Sequence, residues 1–350
     1  MNFNDFVEEV TGNIKLFLPE EYKDAEISVT GNEKLNENYW GMVVRKEDQS
    51  IAPIINLNRL YESYQDRPGM TMEAVCRQVA DVITDTPEMV NLSTILNYDK
   101  AKDHLFIRVS SADANKDMLQ NVPHKLMEDL AITYHIAVDM DSEGLSSTII
   151  SNEMMERYGI TQEQLHEDAM KSAVSILPPD IATIGAKMNN LIGDSLALLT
   201  SEEREMMQNI LRDDEQNPMF IVVTNKAQIN GAGAIFYPEV MENMGYLVGG
   251  DFFILPSSVH ETLVLPDDGK MDAQSLKEMV EEVNATQVLP QDRLTNEVYH
   301  YDTKNHVFEK ADRFEERQKE KDTQKFKVEK IEKVQPNDMK PKNKKHDLEL

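Results

Sequence analysis

The chain has 350 residues, 40% of them apolar, enough for a substantial core and, by length, for about two domains. Its net charge of -27 is unevenly spread: from Thr303 onward 14 Lys and Arg stand against 11 Asp and Glu, leaving 22 against 52 before it, a body near -30. Such a body repels phosphate backbones and anionic lipid, which argues against direct nucleic-acid or membrane binding by it and favours a protein partner with a cationic surface. The single cysteine, Cys76, rules out an internal disulfide and a multi-cysteine zinc site, and its place in an apolar-periodic run predicts a buried thiol. Residues Met1 to Asp5 lack the basic and apolar regions of a signal peptide, and no apolar run reaches roughly 18 residues. The expected location is the cytoplasm.

In chain order, residues 4–18 read as a helix capped by Asn4, with Phe6, Val10, Ile14 and Phe17 on one stripe and Pro19 as the stop. Strands are expected at 25–29, 39–45 and 51–56, the last two joined as a hairpin through Lys46-Glu47-Asp48-Gln49, with helices at 57–64 and 71–83. A second block repeats this order. A strand at 104–109 precedes a hairpin of 131–138 with 146–151, then helices at 152–158 and 161–175, the latter capped by Thr161 with Gln164. From Asp180 to Asn217 the pattern is helical, with Thr200 and Glu203 as a further cap ahead of Met206, Met207, Ile210 and Leu211. Strands follow at 220–224, 252–255 and 262–265, with a short helix near 239–244. A helix at 272–284 and a hairpin of 297–301 with 306–308 complete this part.

Past Glu309 the composition turns to alternating charge with few apolar residues, predicting a solvated helix that buries almost nothing and then disorder from Pro336. The expected organisation is an N-terminal α+β domain at 1–177 built of two hairpin–helix blocks, a helical connector at 178–218, a C-terminal α+β domain at 219–309 and a charged tail at 310–350. Hairpins alternating with helices imply an α+β fold with mainly antiparallel sheets. The three helix openings at Met70-Thr71, Ile160-Thr161 and Met271-Asp272 share a form that any capped amphipathic helix tends toward, so convergence explains them better than duplication.

The densest polar chemistry lies between Phe220 and Leu265, at the ends of apolar strands. Asn225, Asn230 and Gly231 offer amides suited to ligand binding, although Phe236 stands where a dinucleotide fingerprint needs its third glycine. Ser257, Ser258, His260 and Glu261 hold hydroxyls, an imidazole and a carboxylate within five residues and are the candidate catalytic set. Their adjacency also fits a plain polar turn, since His260 and Glu261 point to opposite faces of an extended chain and no Gly-x-Ser-x-Gly elbow is present. If the strand at 220–224 neighbours 252–255 or 261–265, these residues line one cleft. Asp139 to Gly144 copies half an EF-hand loop but has Ile150 at the position that needs a carboxylate, so it reads as a hairpin turn. The histidines show no metal spacing, the 20 methionines read as core filler, and neither a metal nor a cofactor is expected.

With Asn2-Phe3, Ile51-Ala52-Pro53-Ile54-Ile55-Asn56-Leu57 leading into Tyr61-Glu62-Ser63-Tyr64, Val223-Thr224-Asn225 with Asn230-Gly231-Ala232, Tyr237-Pro238, Ile254 through Glu261, and Glu282-Val283-Asn284 through Tyr301, the chain resembles a domain-of-unknown-function family, number 5688. The resemblance covers nearly all of residues 1–310. It implies a protein of gut-dwelling Gram-positive bacteria and their mobile elements, and it carries no activity, cofactor or site residue. Two functions follow from the residues: a non-enzymatic interaction or regulatory factor, or a hydrolase-like or ligand-binding protein with a cleft between the 225–232 and 256–261 loops.

Overall fold

The computed structural model describes residues 1–34, 36–47, 52–85, 92–141, 144–192, 200 and 219–332. Glu203 of the expected cap with Thr200, the run from Met206 to Leu211, Asp48 and Gln49 of the first charged turn and the segment from Pro336 on lie outside the described residues.

The first block opens with α1 (Phe3–Asn13), capped two residues earlier than expected because the Asn2 side chain accepts the Asp5 N–H at 3.0 Å. Strands β1 (Glu26–Lys34), β2 (Glu37–Arg45) and β3 (Ile54–Asn56) form an antiparallel sheet in that order, followed by α2 (Leu57–Gln65) and α3 (Met72–Asp85). Phe6, Val10 and Ile14 pack with Val75, Val79 and Ile83 over Met42 and Val44, a core of its own in which Cys76 is buried.

In the second block, α4 (Leu92–Leu96) and α5 (Tyr98–Ala101) lead to β4 (Leu105–Ser111), α6 (Lys116–Leu119), β5 (His124–Met127), β6 (Leu130–Asp141) and β7 (Gly144–Ile149). The long β6 pairs with β4 along one edge, and β5 and β7 divide the other. Strand β5 escaped the sequence reading because His124-Lys125-Leu126-Met127 has no β-branched residue. It forms because Glu128 takes a left-handed φ of 57° and turns the chain straight back into β6. Helices α7 (Asn152–Tyr158) and α8 (Gln162–Ile176) follow, the second capped by Thr161 as expected.

The expectation of helix from Asp180 is corrected at its start. Residues Pro179–Thr183 form β8, the edge strand of a six-stranded antiparallel sheet, and helix α9 (Ile184–Ile192) begins only afterwards. Proline is tolerated there because it opens a strand that pairs on one side only. Strands β9 (Ile221–Asn225), β10 (Phe252–Ser258), β11 (Glu261–Pro266), β12 (Tyr299–Asp302) and β13 (Val307–Lys310) complete the sheet in the order β13-β12-β10-β11-β9-β8, with helices α10 (Val240–Val248), α11 (Ala273–Thr286) and α12 (Ala311–Glu332) between and after them. The continuous apolar run of β10 follows from burial on both faces. Phe252 and Ile254 share a core with Ile107, Leu165 and Tyr299, whereas Phe253 and Leu255 pack with Leu276 and Val280 of α11. One core thus joins the second block to the C-terminal sheet, and the architecture is α+β with antiparallel sheets.

The chain past Glu309 is also corrected. Ala311 is buried, the Phe314 ring stacks on His300 with centroids 3.5 Å apart, and Arg317 bonds both Glu309 and Asp302. Few apolar residues suffice because Ala311 and Phe314, three apart, share one face of α12 and lie over the sheet.

Candidate functional site

The strand condition set by the sequence is met: β9 pairs with β11, with Val223 opposite Thr262. This pairing places the 225–232 loop against the tip of the β10–β11 hairpin. Asn230 adopts a left-handed φ of 51°, which asparagine tolerates, and donates its N–H to His260 Nδ1 at 3.2 Å. In the neutral ring the proton therefore sits on Nε2, which lies 3.6 Å from Asp292 Oδ1. Asp292 is held there by its backbone, whose carbonyl accepts the Val259 N–H at 2.7 Å. The imidazole remains 42% exposed.

Beneath this pair the contact is close. A Cβ on Gly231 would fall 2.6 Å from the His260 carbonyl oxygen and 2.7 Å from the Asn225 nitrogen, so only glycine lets the loop approach the hairpin. Thr224 Oγ1 donates to the same His260 carbonyl at 2.7 Å. Asn225 is fully buried and spends its side chain on the Ile229 backbone, shaping the loop. Ser258 Oγ accepts the His260 backbone N–H at 3.1 Å, and Ser257 Oγ donates to Glu261 at 3.3 Å. Of the residues singled out in the sequence, His260 and Asn230 are thus brought to an open surface. Asn225 and Gly231 lie under it, and Ser257, Ser258 and Glu261 tie the hairpin together.

That surface is one wall of a polar cleft of about 660 Å³ between the three sheets. His260, Asn230 and Asp292 face Glu37, Tyr39 and Arg59 of the first block and Arg108, His135 and Ser147 of the second. Arg59 grips Glu37 through two nitrogens, at 3.1 and 2.9 Å. On β4 and β6, Phe106, Arg108, Thr133 and His135 share a face: Arg108 Nη2 donates to Ser147 Oγ at 2.8 Å, and His135 Nε2 lies 3.0 Å from Thr133 Oγ1. Burial lowers the Arg108 pKa to about 10, leaving it cationic near neutral pH, and burial with the neighbouring Arg108 charge drives His135 well below the usual imidazole range. Asn36, at a left-handed φ of 62° between β1 and β2, closes the cleft by donating to the carbonyls of Gln291 and Arg293 while exchanging hydrogen bonds with the buried Asn115. Sequence reasoning missed Asn36, Arg108, His135 and Asp292 as site residues, because they come from three separate parts of the chain. The one local signal was a charged Arg108 inside an apolar strand.

A larger groove of about 920 Å³ runs between β8, β10, β11 and the end of α10, but its lining is chiefly aliphatic, and its Asp268 and Lys270 pair with each other at 2.6 Å. The polar cleft is the better candidate because polar groups converge there. Among the described residues no group of three or more His, Cys, Asp or Glu could hold a metal, and no helix is long and apolar enough to cross a membrane.

Fold and site together define an antiparallel α+β protein with a polar cleft where its three sheets meet. The chain belongs to the family described as "Family of unknown function (DUF5688)", whose model matches residues 3–303. No curated protein and no solved structure matches it.

Proposed function

We propose that this is a cytoplasmic protein that binds a small polar molecule in the cleft between its three sheets. The observation that carries the reading is the convergence of His260, Asn230 and Asp292 with Arg108 and the Arg59–Glu37 pair around one space of about 660 Å³, a size suited to a small ligand. The lone buried Cys76 fits a reducing compartment. Hydrolysis would call for a hydroxyl on the imidazole, and the hydroxyls of Ser257 and Ser258 are bonded to Glu261 and the His260 backbone instead, so binding is the reading adopted. The test is native mass spectrometry of protein purified without denaturation. A small molecule should travel with the wild type and be lost from His260→Ala and Asp292→Asn. A bare protein whose cleft resonances do not respond to a metabolite library would sink the reading.

A second reading, an interaction or regulatory factor that docks a cationic protein partner, draws on the body's charge near -30. Its setting in bacterial mobile elements rests on the family resemblance.

A further inference from the structure

We propose that Arg108 is the anchor for a carboxylate group carried by the cleft's ligand, an inference that rests on the cleft's being a ligand site. A guanidinium has five N–H donors and no way to shed its charge near neutral pH. Among the described residues, Arg108 uses one of them on Ser147, its Nε is enclosed with no hydrogen-bond partner, and it has no carboxylate within ion-pair reach. Arg59, Arg77, Arg157, Arg313 and Arg317 each hold a carboxylate. In a chain with 63 acidic residues, the arginine that burial desolvates enough to lower its pKa is thus left without a counter-ion, and it lines the cleft. An enclosed unpaired cation is costly, and a bound anion removes that cost.

The charges around Arg108 decide which anion. Arg59 is saturated by Glu37, and His135, next to Arg108, is kept neutral by its burial and by that same guanidinium. Asp292 adds a second carboxylate to the lining beside Glu37. With Glu37 and Arg59 cancelling each other, a phosphate dianion would bring two negative charges to one unpaired guanidinium in a lining that already holds Asp292. A monocarboxylate brings only the single charge that the Arg108 guanidinium lacks, and its two oxygens fit the planar fork.

The experiment follows the arginine Nε–H signals of the ¹⁵N-labelled full chain by NMR, with Arg108→Lys identifying the Arg108 resonance by its disappearance. Titration uses propionate and benzoate, with inorganic phosphate and chloride at matched ionic strength. The Arg108 signal should shift saturably with at least one carboxylate below roughly 50 mM, a range suited to fragment-sized ligands, and should not respond to chloride. Benzoate binding read from backbone amides should be roughly tenfold weaker or more in Arg108→Lys, which keeps the charge but loses the fork. Absence of a saturable shift with either carboxylate, or phosphate saturating at lower concentration than both, overturns the inference. Where the variant does not fold, nuclear Overhauser contacts of the Nε–H to Phe106 and Ser147 assign the Arg108 signal in the wild type, whose titration then decides. A co-purifying ligand that is lost from His260→Ala but bears no carboxylate overturns this inference and leaves the binding reading standing. A bare protein with no cleft response defeats both.

Discussion

His260 and Gly231 touch across the same turn yet should respond oppositely to substitution. The His260 ring is partly exposed and makes one hydrogen bond, to the Asn230 N–H, so His260→Ala should cost less than about 1 kcal/mol in stability while weakening ligand binding. Gly231→Ala forces a methyl onto backbone atoms and should cost about 1–3 kcal/mol, read from denaturant midpoints. Equal losses for the two would show that the imidazole is structural. His135 supplies a pH signature. Its folded pKa lies well below the ordinary value of about 6.5, so both states are neutral above that value and its stabilising effect is complete. As pH falls, the unfolded chain binds the proton first, and stability declines from roughly pH 6.5 toward the folded pKa. His300 adds to the same slope, because burial lowers its pKa despite the opposing hydrogen bond with Asp267. Thermal melts between pH 7 and 5 should therefore be flatter, though not flat, in His135→Gln, and an unchanged slope would remove His135 from the account.

At the scale of elements, α12 was the part least legible in the sequence. Its alternating charges look solvated, and periodicity is blind to where their partners lie. Arg317 meets Asp302 and Glu309, whose side chains are only 5% and 12% exposed. Burial raises the Asp302 pKa, yet hydrogen bonds from Asn305 and Arg317 outweigh it and bring the carboxyl down to about 2. Arg317→Ala leaves both carboxylates without their cation and should cost about 2–3 kcal/mol. Truncation after Lys310 removes Phe314 from His300 as well and should lower the unfolding midpoint further; a midpoint unchanged in both would mean that the helix is not docked in solution. Strands β5 and β8 were missed for a related reason. Neither has an alternating apolar pattern, and each is held by a neighbour, β6 through the Glu128 turn and β9 through its free edge. Elements with a strong period or a capping side chain, such as α3, α8 and α11, fell within a few residues of their expected bounds.

At the scale of the whole molecule, the first block keeps its own core and meets the rest largely around the cleft, where Asn36 is bonded to Asn115 and to the Gln291 and Arg293 carbonyls. Asn36→Ala should therefore loosen the first block without unfolding it. Hydrogen exchange is expected to quicken across residues 3–85 while β10 and β12 stay protected, and uniform quickening would point to a single cooperative unit. Should a cationic protein partner exist, its affinity should fall steeply from low to physiological salt, as attraction to a body near -30 requires, and a salt-independent affinity would make the acidity incidental.

Hydrophobic period, capping residues and turn chemistry act over a few residues, and by themselves they determined the α+β class, the antiparallel hairpins and the polar loops at the ends of β9 and β10. They also brought out His260 and Asn230, because both lie in one short polar stretch between apolar strands. What faces them was decided by tertiary structure alone. Arg59, Arg108, His135 and Asp292 reach the cleft through sheet pairing and through an Asn36 bridge spanning more than 250 positions of the chain, and the unpaired guanidinium has meaning only once burial has removed its water and no carboxylate has come to meet it.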